Sequence, residues 1–118
     1  MEYDFETRME VRDFECDIAG IVNNANYPHY LEHTRHLFLK SRNLSFAEMH
    51  RKGVDAVVAR MNLQYKVPLR CDDEFVSRLS VSKEGIRYVF RQDIYRLPDE
   101  KLCVKAVVEL VCLVEGRL

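Results

Sequence analysis

The sequence predicts an α+β fold in which a five-stranded antiparallel sheet wraps around one long central helix. The first observation behind this is a helical stripe: Tyr27, Tyr30, Leu31, Thr34, Leu37 and Phe38 fall at i, i+3, i+4, i+7, i+10 and i+11, which is one face. The second is strict apolar–polar alternation before and after that helix, the mark of half-buried strands. The third is the order: one strand, a long helix followed by a short one, then four long strands. Five strands of about ten residues need cover on one face. Only the long helix, roughly 25 Å at 1.5 Å per residue, is apolar enough to give it.

In the first strand Tyr3, Phe5, Thr7, Met9 and Val11 share one face, against Asp4, Glu6, Arg8, Glu10 and Arg12 on the other. A loop, Asp13 to Asn26, then carries Asp17, Gly20 and the asparagines Asn23, Asn24 and Asn26. Asn26 is the expected N-cap of the long helix, and Pro28 sits in its first turn, where a missing N–H costs nothing. Ser45 is placed to cap a short helix, FAEMHRK, which Gly53 ends. A second alternation follows, with Val57, Ala59, Met61, Leu63, Tyr65 and Val67 on one face, and Pro68 to Asp73 turn the chain. The third strand carries Phe75, Leu79 and Val81; after the Glu84-Gly85 turn the fourth carries Ile86, Tyr88, Phe90 and Ile94. Pro98-Asp99-Glu100 makes the last turn, and Leu102 to Val114 alternate through the fifth strand. Val89, Val107, Val111 and Leu113 put apolar side chains on the second face of the sheet, from which an oligomer, a homodimer or homotetramer, is expected.

The 118 residues leave room for one domain, 1–118, and 47% hydrophobic content fills its core. A net charge of −1 gives no footprint for nucleic acid or an anionic membrane. The longest apolar runs are strand-length, well short of the ~20 residues of a membrane span. No charged n-region with an apolar h-region opens the chain. Cys16, Cys71, Cys103 and Cys112 have neither CxxC spacing nor a dense framework, and read as free thiols in a reducing, cytoplasmic compartment.

The loop and the helix start form the candidate site. Unpaired N–H groups and a partial positive charge at a helix start favour negative charge brought near them. A carboxylate within reach, Asp17, makes thioester or ester chemistry one use of such a place. Read from its residues alone, Asp17 fits a turn-capping loop acid at least as well. Gly20 reads equally as a plain turn glycine or as a point of close backbone approach.

The stretch VRDFECDIAGIVNNANYPHYLEHTRHLFL resembles the signature region of the hotdog-fold acyl thioesterases of the 4-hydroxybenzoyl-CoA thioesterase family. The matching positions are Arg12, Asp17, Gly20, Val22 to Tyr27, and Glu32 in the helix; Leu63 to Arg70 and the aspartates after it resemble the family's later strand and turn. The resemblance covers essentially the whole chain and implies the hotdog fold. It implies hydrolysis of an acyl-CoA or acyl-carrier-protein thioester to acid and thiol, without a cofactor. Asp17 would then be nucleophile or general base, and the backbone near Asn24, Asn26 and Tyr27 would hold the oxyanion. Gly20 would let the acyl group approach. Many members carry a histidine where this chain has Asn24; an amide cannot shuttle a proton but can donate to a carbonyl, so Asn24 is read as a positioning group. Glu32 lies off the apolar stripe near Arg35 and His36, and reads as a second acid or as a helix acid paired with a neighbouring base.

Two other readings fit parts of the same stretch. His29-Tyr30-Leu31-Glu32-His33 fits HxxEH, so a metal-dependent hydrolase using residues 29–33 is one alternative. No third, distant ligand is identifiable, and no metal is expected. A non-catalytic acyl-binding or dimerisation module is the other, since the same fold would serve it.

Overall fold

The stripe that begins at Tyr27 forms the long helix, α1 (Tyr27–Ser41), in a computed structural model that describes residues 2–118. Strand β1 (Phe5–Glu10) precedes it; helix α2 (Phe46–Arg51) and strands β2 (Val54–Tyr65), β3 (Glu74–Glu84), β4 (Arg87–Arg96) and β5 (Lys101–Val114) follow. The strands pair antiparallel in the order β1-β3-β4-β5-β2. Tight turns join β3 to β4 and β4 to β5. The excursion through α1 carries the chain from one edge of the sheet to the other, leaving β1 and β2 as the two edges. Ser45 accepts from the Glu48 N–H at 3.1 Å and so caps α2 as its sequence requires.

The inner face of the sheet meets α1 in a core that includes Leu31, Phe75, Leu79, Ile94, Val104 and Val108, all fully buried. Each such side chain contributes about 1.5–3 kcal/mol through removal from water. The helix departs from a purely apolar face in one respect: Arg35 is buried, while Leu37 is only half-buried. Polar side chains of the inner sheet face explain this. Gln92 Nε2 donates to the Leu31 carbonyl at 3.0 Å, Arg35 Nη1 donates to Gln92 Oε1 at 2.9 Å, and the Thr34 and Ser77 hydroxyls share a hydrogen bond at 2.7 Å. These bonds tie the helix to β3 and β4 in one register, and each buried polar group is partnered.

Strand β2 differs from its expected alternation. A bulge lies between Val58 and Arg60, so Ala59 is the extra residue and the period of two resets there. Ala56 pairs with Cys112 and Val58 with Leu110, on the same face as Met61, Leu63 and Tyr65, while Val57 turns to the opposite face against Val111. The second face also differs from expectation. Val89 and Val111 are buried within the single chain. Exposed apolar residues include Val57, Val58, Met61 and Tyr65 of the β2 edge, with Phe14, Ile18, Leu44 and Ile86 exposed elsewhere. Among the described residues no helix is long and apolar enough to cross a membrane.

Candidate active site

The loop between β1 and α1 is held by one acid, and it is not Asp17. A 3-10 turn over Asp13–Glu15 folds the Glu15 side chain back, and Glu15 Oε1 accepts from the Arg12 backbone N–H at 2.8 Å and from the Tyr30 hydroxyl at 2.9 Å. Arg12 Nη2 donates to Oε2 at 3.0 Å. The Glu15 carbonyl accepts from the Asn23 N–H at 3.0 Å and from Asn26 Nδ2 at 2.8 Å. Burial alone would raise the Glu15 carboxyl, but donation by Arg12 and Tyr30 outweighs it and holds the group below the usual carboxylate value. Burial, with Glu15 as acceptor, pushes the Tyr30 phenol well up. The sequence carries no capping-box signature for this clamp, because Arg12 stands where a Ser or Thr acceptor would and can only donate.

Asp17 stands at the tip of the loop, exposed, next to the fully exposed Ile18. Its Oδ1 accepts from the Ala19 N–H at 2.8 Å, its N–H donates to the Ile21 carbonyl at 2.8 Å, and its carbonyl accepts from the Gly20 N–H at 3.0 Å. The carboxylate therefore closes its own turn with one oxygen. Gly20 has φ +79°, and a Cβ built there would meet nothing within 4 Å. Its positive φ is the constraint that calls for glycine, since the space around it is open.

From that turn the chain runs through Ile21 and Val22, whose N–H donates to the Leu69 carbonyl at 2.8 Å, into the entrance of the helix. Here Asn26 is not the cap. A 3-10 turn over Asn24–Asn26 extends the helical path upstream, and Asn23 caps it, its side chain accepting from the Ala25 N–H at 2.9 Å. Asn26 has helical dihedrals, and its amide serves Glu15 instead. The N–H groups of Ala25 and Asn26 are thus both spent on Asn23. The Asn24 N–H has no partner among the described residues.

Asn24 and Tyr27 line one cavity, of about 160 Å³, with Ile21, Tyr65, Val67 and Cys103. Tyr27 is buried; its hydroxyl accepts from the Leu69 N–H at 3.1 Å and its ring packs on Tyr30 and Tyr65. The Tyr65 hydroxyl, from the edge strand β2, donates to the Asn24 carbonyl at 3.4 Å, so Tyr65 belongs to this cavity although its place in an alternating strand marks it only as a sheet residue. Asp17, Gly20 and Asn26 do not line it, and neither does Glu32.

Glu32 lies on the exposed side of α1 and forms no ion pair among the described residues, contrary to the expected pairing with a neighbouring base. The reason is that Arg35 turns inward to Gln92. His29, Glu32, His33 and His36 border one solvent-facing hollow with Leu37 and Lys40. Among the described residues no three His, Cys, Asp or Glu side chains come together as metal ligands would, so the HxxEH spacing is not matched by a ligand cluster.

A family model described as the thioesterase-like superfamily matches residues 11–117. Acyl-acyl carrier protein thioesterase ATL3 of Arabidopsis thaliana is 34% identical over 102 residues, covering 86% of this chain and 54% of that protein. The putative acyl-CoA thioesterase YneP of Bacillus subtilis is 32% identical over 106 residues, 89% of this chain and 76% of that one. The crystal structure of the DHNA-CoA thioesterase from Staphylococcus aureus superposes with a TM-score of 0.85 at 25% identity, covering 93% of this chain and 74% of that one. The sheet wrapped on one helix is thus the hotdog fold these proteins share. The chain spans about half the length of the Arabidopsis relatives it matches.

Proposed function

The chain belongs to the thioesterase-like superfamily, and we propose on that premise that it hydrolyses an acyl-CoA or acyl-carrier-protein thioester to free acid and free thiol. The observation that carries this reading is that the loop leading into α1 presents both an exposed carboxylate, Asp17, and an N–H with no partner among the described residues, that of Asn24. Attack on a thioester carbonyl places negative charge on its oxygen, and a backbone N–H at a helix entrance stabilises that charge without reorganising. Asp17 supplies the attack. It either takes a proton from water or adds to the carbonyl itself, giving a mixed anhydride that water then cleaves. In both routes the thiolate leaves; the general-base route puts the water oxygen on the released acid, whereas water attacking the aspartyl carbonyl of the anhydride leaves its oxygen on Asp17 and releases the acid with an aspartate oxygen. A single turnover in ¹⁸O-water separates them, because only the anhydride route can leave label in the protein.

Within one chain Asp17 does not line the cavity that Asn24 and Tyr27 share. We therefore read the site as completed by a second copy, docked along the β2 edge where Val57, Val58, Met61 and Tyr65 are exposed. Four unpaired cysteines support a reducing compartment. Glu32 is read as an accessory to this chemistry at most, because it lies on a different hollow from Asn24. A panel of acyl-CoA and acyl-carrier-protein thioesters, with a thiol-reactive dye as readout, tests the reading. Release of thiol in the presence of chelator is expected. Tight binding without turnover on every member would instead mark an acyl-binding module.

A further inference from the structure

Cys16 stands between the two acids of the entrance loop, Glu15 of the clamp and Asp17 at the tip. Backbone contacts fold its segment onto the turn between β2 and β3. Cys16 pairs with Val22, and Ile21 pairs with Arg70, in isolated antiparallel bridges. On the other side the Asp72 N–H donates to the Val11 carbonyl at 3.2 Å. Cys71 lies between these last two attachments, and its thiol and that of Cys16 meet within hydrogen-bonding reach. Cys71 is exposed and Cys16 half-buried, so a reagent reaches the pair from the Cys71 side. The other two cysteines, Cys103 and Cys112, both lie in β5.

Neither thiol takes part in the clamp. Cys16 Sγ makes a long contact, 4.0 Å, to the Arg12 carbonyl, and the bonds that hold the loop run through Glu15, Asn23 and Asn26. What two facing sulfurs add is the capacity to bond to each other. A disulfide needs its sulfurs to close to about 2 Å, a shift that the exposed turn at Cys71 can make. Burial raises the Cys16 thiol, and Cys71, Glu15 and Asp17 add to it. Lost hydration, with Asp72 and Asp13, raises Cys71 likewise. Both groups therefore rest as protonated thiols, and their proximity, not an unusual reactivity, favours oxidation.

We propose that Cys16 and Cys71 form a redox-sensitive modification site, which a small-molecule disulfide such as oxidised glutathione converts to an intrachain disulfide tying the Glu15–Asp17 segment to the turn before β3. The Cys71 thiolate attacks one sulfur of the reagent, forming a mixed disulfide and expelling one glutathione thiolate. The Cys16 thiolate then attacks the Cys71 sulfur; the protein S–S bond forms and the second glutathione thiolate leaves. The two cysteine protons pass through solvent to the two glutathione thiolates. The protein loses two electrons and the reagent gains them. In a reducing compartment the pair stays open until the oxidised reagent accumulates. The new bond closes a loop that contains α1, α2 and β2, a long stretch whose restraint acts chiefly on the unfolded chain.

Treatment of the full chain with oxidised glutathione, followed by thiol counting, intact mass and thermal melting, tests the proposal. Wild type loses two of its four thiols, falls in mass by two hydrogens with no glutathione attached, and yields a Cys16–Cys71 peptide on mapping. The oxidised protein melts at least about 5 °C above the reduced one, and dithiothreitol reverses both changes. Cys16→Ser stops at a glutathione adduct on Cys71, and Cys71→Ser shows neither the internal bond nor the rise in melting temperature. Survival of all four thiols overturns the proposal, as does a stable glutathione adduct on wild-type Cys71 or a cross-link between two chains in place of the internal one. A Cys16–Cys71 bond that lowers the melting temperature overturns it too, because such a bond would be forced on the fold. None of these readouts uses hydrolysis, so the outcome is separate from the role of Asp17.

Discussion

The entrance of α1 and the middle of that helix treat polar groups in opposite ways. At the entrance nearly every donor is paired inside the chain: Glu15 takes Arg12 and Tyr30, Asn23 takes Ala25, Asn26 takes Glu15, and the Tyr27 hydroxyl takes the Leu69 N–H. The Asn24 N–H and the second carboxylate oxygen of Asp17 have no partner among the described residues. At the middle, Arg35 is buried against β4. The first arrangement suits the proposed hydrolysis, in which donors fixed beforehand need not wait for their surroundings to move. The second leaves a buried guanidinium with one neutral acceptor. A dense clamp therefore marks where the chain has fixed a geometry, and a single bond marks where it has fixed only the register of helix on sheet.

The comparison breaks most sharply if the entrance already works in a single chain. Hydrolysis should fall to near zero when dilution drives the protein to a 14.0 kDa species, with activity and sedimentation tracking each other across concentration. A fully active monomer would place Asp17 and Asn24 in one site without a partner.

The clamp itself comes next in size. Glu15→Ala leaves the Arg12 N–H and the Tyr30 hydroxyl without their acceptor, and should cost about 2–3 kcal/mol, a fall in melting temperature of roughly 8–12 °C. A change under ~0.5 kcal/mol would show that Glu15 is an ordinary surface acid.

Its titration sharpens the same point. Because the folded-state Glu15 carboxyl lies below its usual value, the unfolded chain binds its proton first as pH falls. The stability Glu15 contributes is fully present above the unfolded value, about 4.3, and is lost as pH drops through the folded value beneath it. Chemical denaturation between about pH 6 and pH 3 should show wild type losing stability more steeply than Glu15→Gln. Parallel curves would remove the clamp from the account.

Much of this contrast was legible in the sequence, and what was missed has physical causes. The Tyr27, Tyr30, Leu31, Thr34 and Phe38 stripe is buried as its period requires, and the strand alternations place β1 and β3 to β5 where the sheet has them. Arg35 was missed because periodicity assigns a charge to solvent, whereas Gln92, distant in sequence, offers it an acceptor. The β2 register was missed because a bulge at Ala59 leaves no mark in a run of apolar residues. Asn26 looked like the cap because it precedes the apolar stripe, but an added 3-10 turn moved that task to Asn23. For Asp17 the residues allowed both a turn acid and a catalytic one, and the turn hydrogen bond is present. Exposure of the same carboxylate leaves its second oxygen for chemistry.

The smallest effect concerns Tyr65, whose hydrogen bond to the Asn24 carbonyl is long at 3.4 Å and exposed. Tyr65→Phe should change kcat/KM by less than about 1 kcal/mol, under roughly five-fold, with stability unaltered. A larger loss confined to kcat would move Tyr65 from support of the entrance to contact with the reacting atoms.

The central claim is that the exposed carboxylate, and not the clamp around it, carries out the chemistry. The direct test is the hydrolysis rate of Asp17→Asn on an acyl-CoA that wild type cleaves, with thermal melting measured on the same samples and Glu32→Gln as a control. Asparagine keeps an oxygen for the Ala19 N–H, so the turn and the melting temperature should survive. It has no charge with which to attack or to take a proton. The rate should fall ~10²–10⁴-fold, about 3–5 kcal/mol of transition-state stabilisation, with a milder loss in Glu32→Gln. A variant that keeps more than about a tenth of the wild-type rate while melting several degrees lower would make Asp17 a turn acid and contradict the account.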